Sequence, residues 1–167
     1  MLLFSSALTK HKLTFIKLSD CMSYVPIAAK WAEEEWGYIR NKGVEYREGV
    51  MKELKDEVYI GFIADKPVAM FALINHSLTN ELSITSKKLP STKELMYVYV
   101  DKEYRGLGFG KQIIEKVKEL ACESKSDRIF LDTLKPSLNR FYEKHGAVVA
   151  CEGTLYSHPT DVLIIRV

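Results

Sequence analysis

The sequence predicts an α/β fold of about seven strands and about four helices. Three observations lead there. Short runs rich in β-branched and aromatic residues recur along the chain, two of them joined as a hairpin. Between other runs, apolar residues fall at helical spacing. Most specific, the strand-like run Leu95-Met96-Tyr97-Val98-Tyr99-Val100 leads into Arg105-Gly106-Leu107-Gly108-Phe109-Gly110, and that glycine loop opens an amphipathic helix.

Residues 13–18 read as the first strand. Ser23 or Asp20 caps a helix whose first turn tolerates Pro26; it turns Ile27, Ala28, Trp31 and Ala32 inward and ends near Trp36-Gly37. A second helix, about residues 44–54, follows Gly43, with Val50, Met51 and Leu54 in phase. Residues 58–63 and 68–74, joined by Ala64-Asp65-Lys66-Pro67, form the hairpin. The polar stretch 75–93 is a long connection, and such loops inside compact domains are often functional. After the fourth strand, 95–100, the helix behind the glycine loop carries Ile113, Ile114, Val117, Leu120 and Ala121 on one face. Residues 128–133 are the fifth strand. A helix spans about 137–144, with Gly146 placed to end it. Strands near 148–156 and 162–167 complete a single domain, 1–167.

The 167 residues suffice for one substantial core, and 47% hydrophobic with 28% charged residues is the make-up of a soluble globular protein. A net charge of +2, with no Lys/Arg run interleaved with aromatics, argues against nucleic acid as a partner. Cys21, Cys122 and Cys151 are odd in number and widely spaced, without a C-x-x-C or Cys/His cluster. They support neither a disulfide framework nor a structural zinc, and read as buried or indifferent thiols in a reducing compartment. The apolar start, Met1 to Leu8, lacks a basic n-region and is interrupted by Lys10-His11-Lys12. No stretch approaches the length of a membrane span. The expectation is a cytoplasmic protein without a membrane partner.

A glycine loop between a strand and a helix leaves aligned backbone N–H groups at the positive end of the helix dipole, which suits phosphate. Spacing narrows the choice. A P-loop needs four residues between its glycine and Gly-Lys-Ser/Thr; here three separate Gly106 from Gly110, and Gln112 follows Lys111 where magnesium would need a hydroxyl. A dinucleotide fingerprint needs G-x-G-x-x-G and an acidic residue about 20 positions on; the loop reads G-x-G-x-G, and only Asp127, in a polar turn, lies near.

What remains, Arg-x-x-Gly-x-Gly, resembles the pyrophosphate-binding signature of the GNAT superfamily of acetyl-CoA-dependent N-acetyltransferases. The element order β-α-α-β-β-β-α-β-α-β-β is also similar to that family's, closely from about residue 94 to 147 and loosely before. The resemblance implies a central mixed, mostly antiparallel sheet of about seven strands flanked by about four helices, in which the strands on either side of the long helix (the fourth and fifth) run parallel and splay apart. It implies too that the pantetheine arm of acetyl-CoA adds to the edge at Val98, Tyr99 and Val100. Arg105, Gly106, Gly108, Phe109, Gly110 and Lys111 would then hold the cofactor.

Moving an acetyl group from a thioester to an amine needs a neutral amine, a donor for the oxyanion and a proton for the thiolate, whose conjugate acid has a pKa of about 8.5. No covalent intermediate and no metal is required. The segment Asn139-Arg140-Phe141-Tyr142-Glu143-Lys144-His145-Gly146 resembles the family's N-x-x-F/L-Y-E-K-x-G. The resemblance makes Tyr142 the general acid at the cofactor sulfur and Asn139 a pantetheine ligand; three apart on a helix, they share a face. Glu94, where some members carry a glutamate, would be either the general base through water or a solvated strand end. A backbone N–H among Val98 to Val100 would serve the oxyanion.

Glu33, Glu34 and Glu35 either attract a cationic amine or form the wet face of their helix. Trp31, Trp36 and Tyr38 read as packing. His76 and His145 are the best-placed histidines, His145 at a helix end suited to a cap or dipole role. The expected partners are acetyl-CoA and an amine acceptor, small molecule or protein, with a homodimer possible. The alternative is a non-catalytic acyl-CoA-binding module, which needs the loop but no proton donor at the sulfur.

Overall fold

The computed structural model describes residues 11–75 and 92–167. Its strands are β1 (Thr14–Lys17), β2 (Val58–Ile63), β3 (Lys66–Asn75), β4 (Thr92–Val100), β5 (Arg128–Thr133), β6 (Ala147–Leu155) and β7 (His158–Arg166). The helices are α1 (Val25–Arg40), α2 (Gly43–Glu53), α3 (Phe109–Glu123) and α4 (Asn139–Lys144). Strand order is β1-β2-β3-β4-β5-β7-β6. Pairing is antiparallel for β1–β2, β2–β3, β5–β7 and β6–β7, whereas β4–β5 is parallel. The parallel ladder joins Thr92–Glu94 to Arg128–Phe130 and ends there. This is the expected mixed, mostly antiparallel sheet. The chain divides into two compact units, Met1–Ala72 with Tyr97–Ile113, and Leu73–Met96 with Ile114–Val167.

In the first unit, β2 and β3 turn over on Ala64-Asp65, so Lys66 and Pro67 belong to β3 rather than to the connection. Ala64 takes a φ of 51°, the left-handed geometry that two-residue hairpin turns need. Leu18, Ala28, Ala32, Met51, Ile60 and Phe71 are fully buried there; each large one contributes about 1.5–3 kcal/mol by leaving water. Ile27, expected inward, is only half-buried.

Both ends of α1 differ from expectation. Asp20 and Ser23 lie in two short 3-10 turns, and the helix is preceded by Tyr24 without a side-chain cap. At the other end α1 runs past Gly37 to Arg40, closed by Asn41 at φ 52°, whose N–H reaches the Gly37 carbonyl at 2.8 Å. The helix continues through Gly37, since one glycine inside a helix costs only about 1 kcal/mol against alanine. A Cβ there would stand 2.6 Å from the Glu33 carboxylate.

In the second unit β5, β6 and β7 pair around buried Ile129, Leu131, Leu163 and Ile165. The β6–β7 hairpin turns on Tyr156 and Ser157, both left-handed at φ 46° and 67°, without a glycine. A 3-10 turn at Pro136–Leu138 precedes α4, which is therefore shorter than expected. Gly146 follows it at φ 94°.

Candidate active site

The loop between β4 and α3 is built from its own backbone outward. Arg105 is extended, and its Nε donates to the Val100 carbonyl at 2.8 Å. Its guanidinium carbon lies 5.3 Å from the Tyr99 ring centre, within cation–π range. One Nη stands 3.9 Å from Glu35, an exposed pair worth little. Arg105 thus folds back on the strand that precedes it and braces the loop. Gly106 and Gly108 sit at φ 78° and 87°, with open space where a Cβ would go; the demand is conformational, not steric. The Gln112 N–H bonds the Gly108 carbonyl at 3.3 Å, so the N–H groups of Phe109 and Gly110 fall in the helix's first turn, where no intrahelical acceptor exists. Phe109 is 1% exposed, so its ring anchors the loop and only its backbone can serve a ligand. Lys111 is exposed. Gln112 accepts from the Leu13 N–H at 2.8 Å and donates to the His11 carbonyl at 3.1 Å, tying the start of α3 to the segment ahead of β1.

The end of β4 is held by aromatic and charged neighbours. Tyr99 is buried and stacks on Trp31 at 5.2 Å; desolvation first, and Glu34 second, raise its pKa. Tyr97 has a φ of 53° inside the strand. A bulky residue there costs of order 1–3 kcal/mol and persists only where its surroundings hold it. Its hydroxyl accepts from Arg47 Nη1 at 3.1 Å, and Trp36 meets its ring edge-on at 5.4 Å. Arg47 is 4% exposed; its Nε lies 3.3 Å from Glu33 and its Nη2 donates to the Trp36 carbonyl at 2.8 Å.

Sequence reading missed this cluster. Arg47 sits among polar residues, so nothing local marks it as buried. Glu33 is therefore not simply wet surface, while Glu34 is, paired across a helix turn with Lys30 at 3.9 Å. Trp31 and Trp36 pack as expected, and Tyr38 is exposed.

In the second unit Tyr142 is 8% exposed, and burial pushes its phenol up to about 12. No hydrogen bond to its hydroxyl is made among the described residues. No side-chain nitrogen or oxygen there is fully enclosed without a partner, so the hydroxyl reaches accessible surface. Phe141 packs edge-on against the ring at 5.0 Å. Asn139 faces inward: its amide oxygen accepts from Thr133, and its nitrogen donates to Asp161 at 2.8 Å. That fixes the amide's orientation and leaves one N–H for a ligand. His145 lies at the helix end, its carbonyl accepting from Lys118 Nζ at 2.6 Å. Glu94 is half-buried in β4, opposite Phe130. His76 lies outside the described residues.

The family model of the acetyltransferase (GNAT) domain matches residues 55–146, more than half of the chain, including the glycine loop and α4. The chain belongs to the GNAT family. It is an acyltransferase.

GNAT structures share its fold. An N-acetyltransferase from Lactobacillus plantarum is 18% identical at a TM-score of 0.63, with 93% of this chain and 97% of that one covered. Ard1 from Thermoplasma volcanium is 15% identical at 0.65, with 93% and 97% covered. N-acetylglutamate synthase from Neisseria gonorrhoeae, in complex with coenzyme A and N-acetylglutamate, is 14% identical at 0.67; 94% of this chain covers 35% of that one. A comparison with curated protein sequences gives no match. Among the described residues no group of three His, Cys, Asp or Glu could hold a metal, and no helix is long and apolar enough to cross a membrane. The three cysteines are free, with Cys122 and Cys151 exposed rather than buried.

Proposed function

We propose that this GNAT protein moves the acetyl group of acetyl-CoA directly to a primary amine, with Tyr142 protonating the departing thiolate. The observation that carries this is the state of Tyr142: its ring is buried, its pKa is raised to about 12, and its hydroxyl is uncommitted among the described residues. Any tyrosine is protonated at neutral pH and burial only weakens it as an acid, so what supports the role is a hydroxyl on a buried ring that is uncommitted among the described residues. The amine attacks the thioester carbonyl, the tetrahedral oxyanion takes an N–H from the Val98–Val100 stretch, and the C–S bond breaks as the thiolate receives the proton. Glu94 accepts the amine's proton through water. The loop amides from Gly106 to Lys111 take the pyrophosphate, and the second N–H of Asn139 takes the pantetheine arm. A binding module would have no use for a proton donor kept this way. The acceptor is a small amine or a protein amine. Following free thiol release from acetyl-CoA across an amine library tests the reading. Tight acetyl-CoA binding with no thiol released by any amine would reverse it in favour of the binding module.

Arg105 separates binding from chemistry. Arg105→Ala removes the brace to Val100, and its expected effect is a weakening of acetyl-CoA binding by about tenfold, the equivalent of one hydrogen bond to a charged donor. Turnover at saturating acetyl-CoA should change by less than about twofold. Titration of acetyl-CoA beside steady-state rates checks both; collapse of kcat at unchanged affinity would give Arg105 another role.

A further inference from the structure

We infer that Arg47 is a positioning residue for acyl transfer, acting through Tyr97 on the β4 backbone amides that follow. The kinetic consequence rests on the acetyltransferase reading above; the structural consequence does not.

Six non-glycine residues have positive φ among the described residues. Asn41, Ala64, Lys125, Tyr156 and Ser157 lie in turns or just past a helix, where left-handed backbone is common. Tyr97 alone interrupts a strand. Tyrosine has no preference for this geometry, so its neighbours must impose it. Among them are Trp36, edge-on at 5.4 Å, and Arg47, whose Nη1 donates to the hydroxyl at 3.1 Å with its guanidinium carbon 6.0 Å from the ring centre. Arg47 is aimed in turn by Glu33 at Nε and by the Trp36 carbonyl at Nη2. Three guanidinium nitrogens thus have three different partners, two on α1 and one on β4.

A methionine or leucine would fill this space without the cost of burying a charge. What the aliphatic residues cannot supply is a fixed, directional donor to the Tyr97 hydroxyl. A left-handed residue in a strand turns the next peptide plane away from the ladder direction. Arg47 therefore sets where the N–H groups of Val98 and its successors point, and these are the donors the oxyanion uses in the proposed reaction.

Arg47→Met tests this in two ways. In its crystal structure Tyr97 should return to negative φ; retention near its present value would overturn the inference and leave Arg47 as a tie between α1 and α2. In kinetics, kcat should fall about 10²-fold, the scale of a misplaced reacting geometry, a larger loss than in acetyl-CoA affinity, to which the loop amides contribute independently. The same substitution in a Tyr97→Gly background, where positive φ needs no support, should cost less than about threefold. Equal losses in both backgrounds would overturn it. If Arg47→Met does not fold, Arg47→Lys takes its place in both measurements: an ammonium can keep Glu33 but cannot span the Trp36 carbonyl and the Tyr97 hydroxyl together. Should the unmutated protein acetylate no amine, the enzymatic reading fails, while the φ of Tyr97 in the variant still decides whether Arg47 imposes it.

Discussion

Replacing Tyr142 by phenylalanine is expected to lower kcat by about 10²- to 10⁴-fold, the usual range for loss of a general acid. Acetyl-CoA affinity should barely change, since the ring and its packing on Phe141 remain. Stability should hold as well, because the hydroxyl makes no hydrogen bond among the described residues for the fold to lose. Set against an ordinary thiol, a phenol near 12 is the weaker acid by about 3.5 pKa units, roughly 5 kcal/mol. A thiolate leaving into equally desolvated surroundings has its own pKa raised, which narrows that gap. The pH dependence follows in sign. The raised pKa keeps the acid protonated, so turnover should not decline through loss of this proton between pH 7 and about 10, and only approaching 12 should the acid be spent. The rate of Tyr142→Phe at saturating acetyl-CoA checks the role. A loss below about threefold would make Tyr142 a packing residue and solvent the donor.

The second large effect concerns the loop. Acetyl-CoA at about 100 times its dissociation constant should stabilise the fold by roughly 2.7 kcal/mol, a rise in Tm of about 5–10 °C. Gly108→Asp should abolish that rise. Open space surrounds the position, but Gly108 sits at φ 87°, a backbone geometry that aspartate rarely adopts, so strain in the loop adds to the effect of charge. The introduced carboxylate would stand at the amides that the pyrophosphate needs and repel it. Gly110→Asp should do the same by charge from within the first turn. Differential scanning of the variants with and without acetyl-CoA is the check. An unmutated protein whose Tm ignores millimolar acetyl-CoA would refute the cofactor assignment altogether.

Legibility divided along a physical line. The β2–β3 hairpin, α3 and β5 were readable because their signals are local: alternation, helical phase, a glycine loop between them. The ends of α1 were not. Asp20 and Ser23 are good caps in isolation, but two 3-10 turns place Tyr24 at the helix start instead, and a lone glycine such as Gly37 weakens a helix without ending it. The Arg47 cluster was invisible for another reason. Its partners lie 14 residues upstream at Glu33 and 50 downstream at Tyr97, and no local pattern records a pairing at that distance. Tyr97 itself reads as an ordinary strand residue, because its left-handed backbone comes from its neighbours and not from tyrosine. Tyr142 and Asn139 were singled out through resemblance to a family segment; periodicity alone would have made them surface residues of a short helix.

Anyone engineering this protein for heat resistance would choose Gly37 early. It sits inside a long helix, where alanine normally gains about 1 kcal/mol over glycine. Here part of that gain is offset. A methyl group at residue 37 would stand 2.6 Å from the Glu33 carboxylate, the far end of a flexible side chain, which must shift and so loosen its 3.3 Å pairing with Arg47. A choice made for the helix at residue 37 is thus also a choice about how firmly residue 33 aims residue 47.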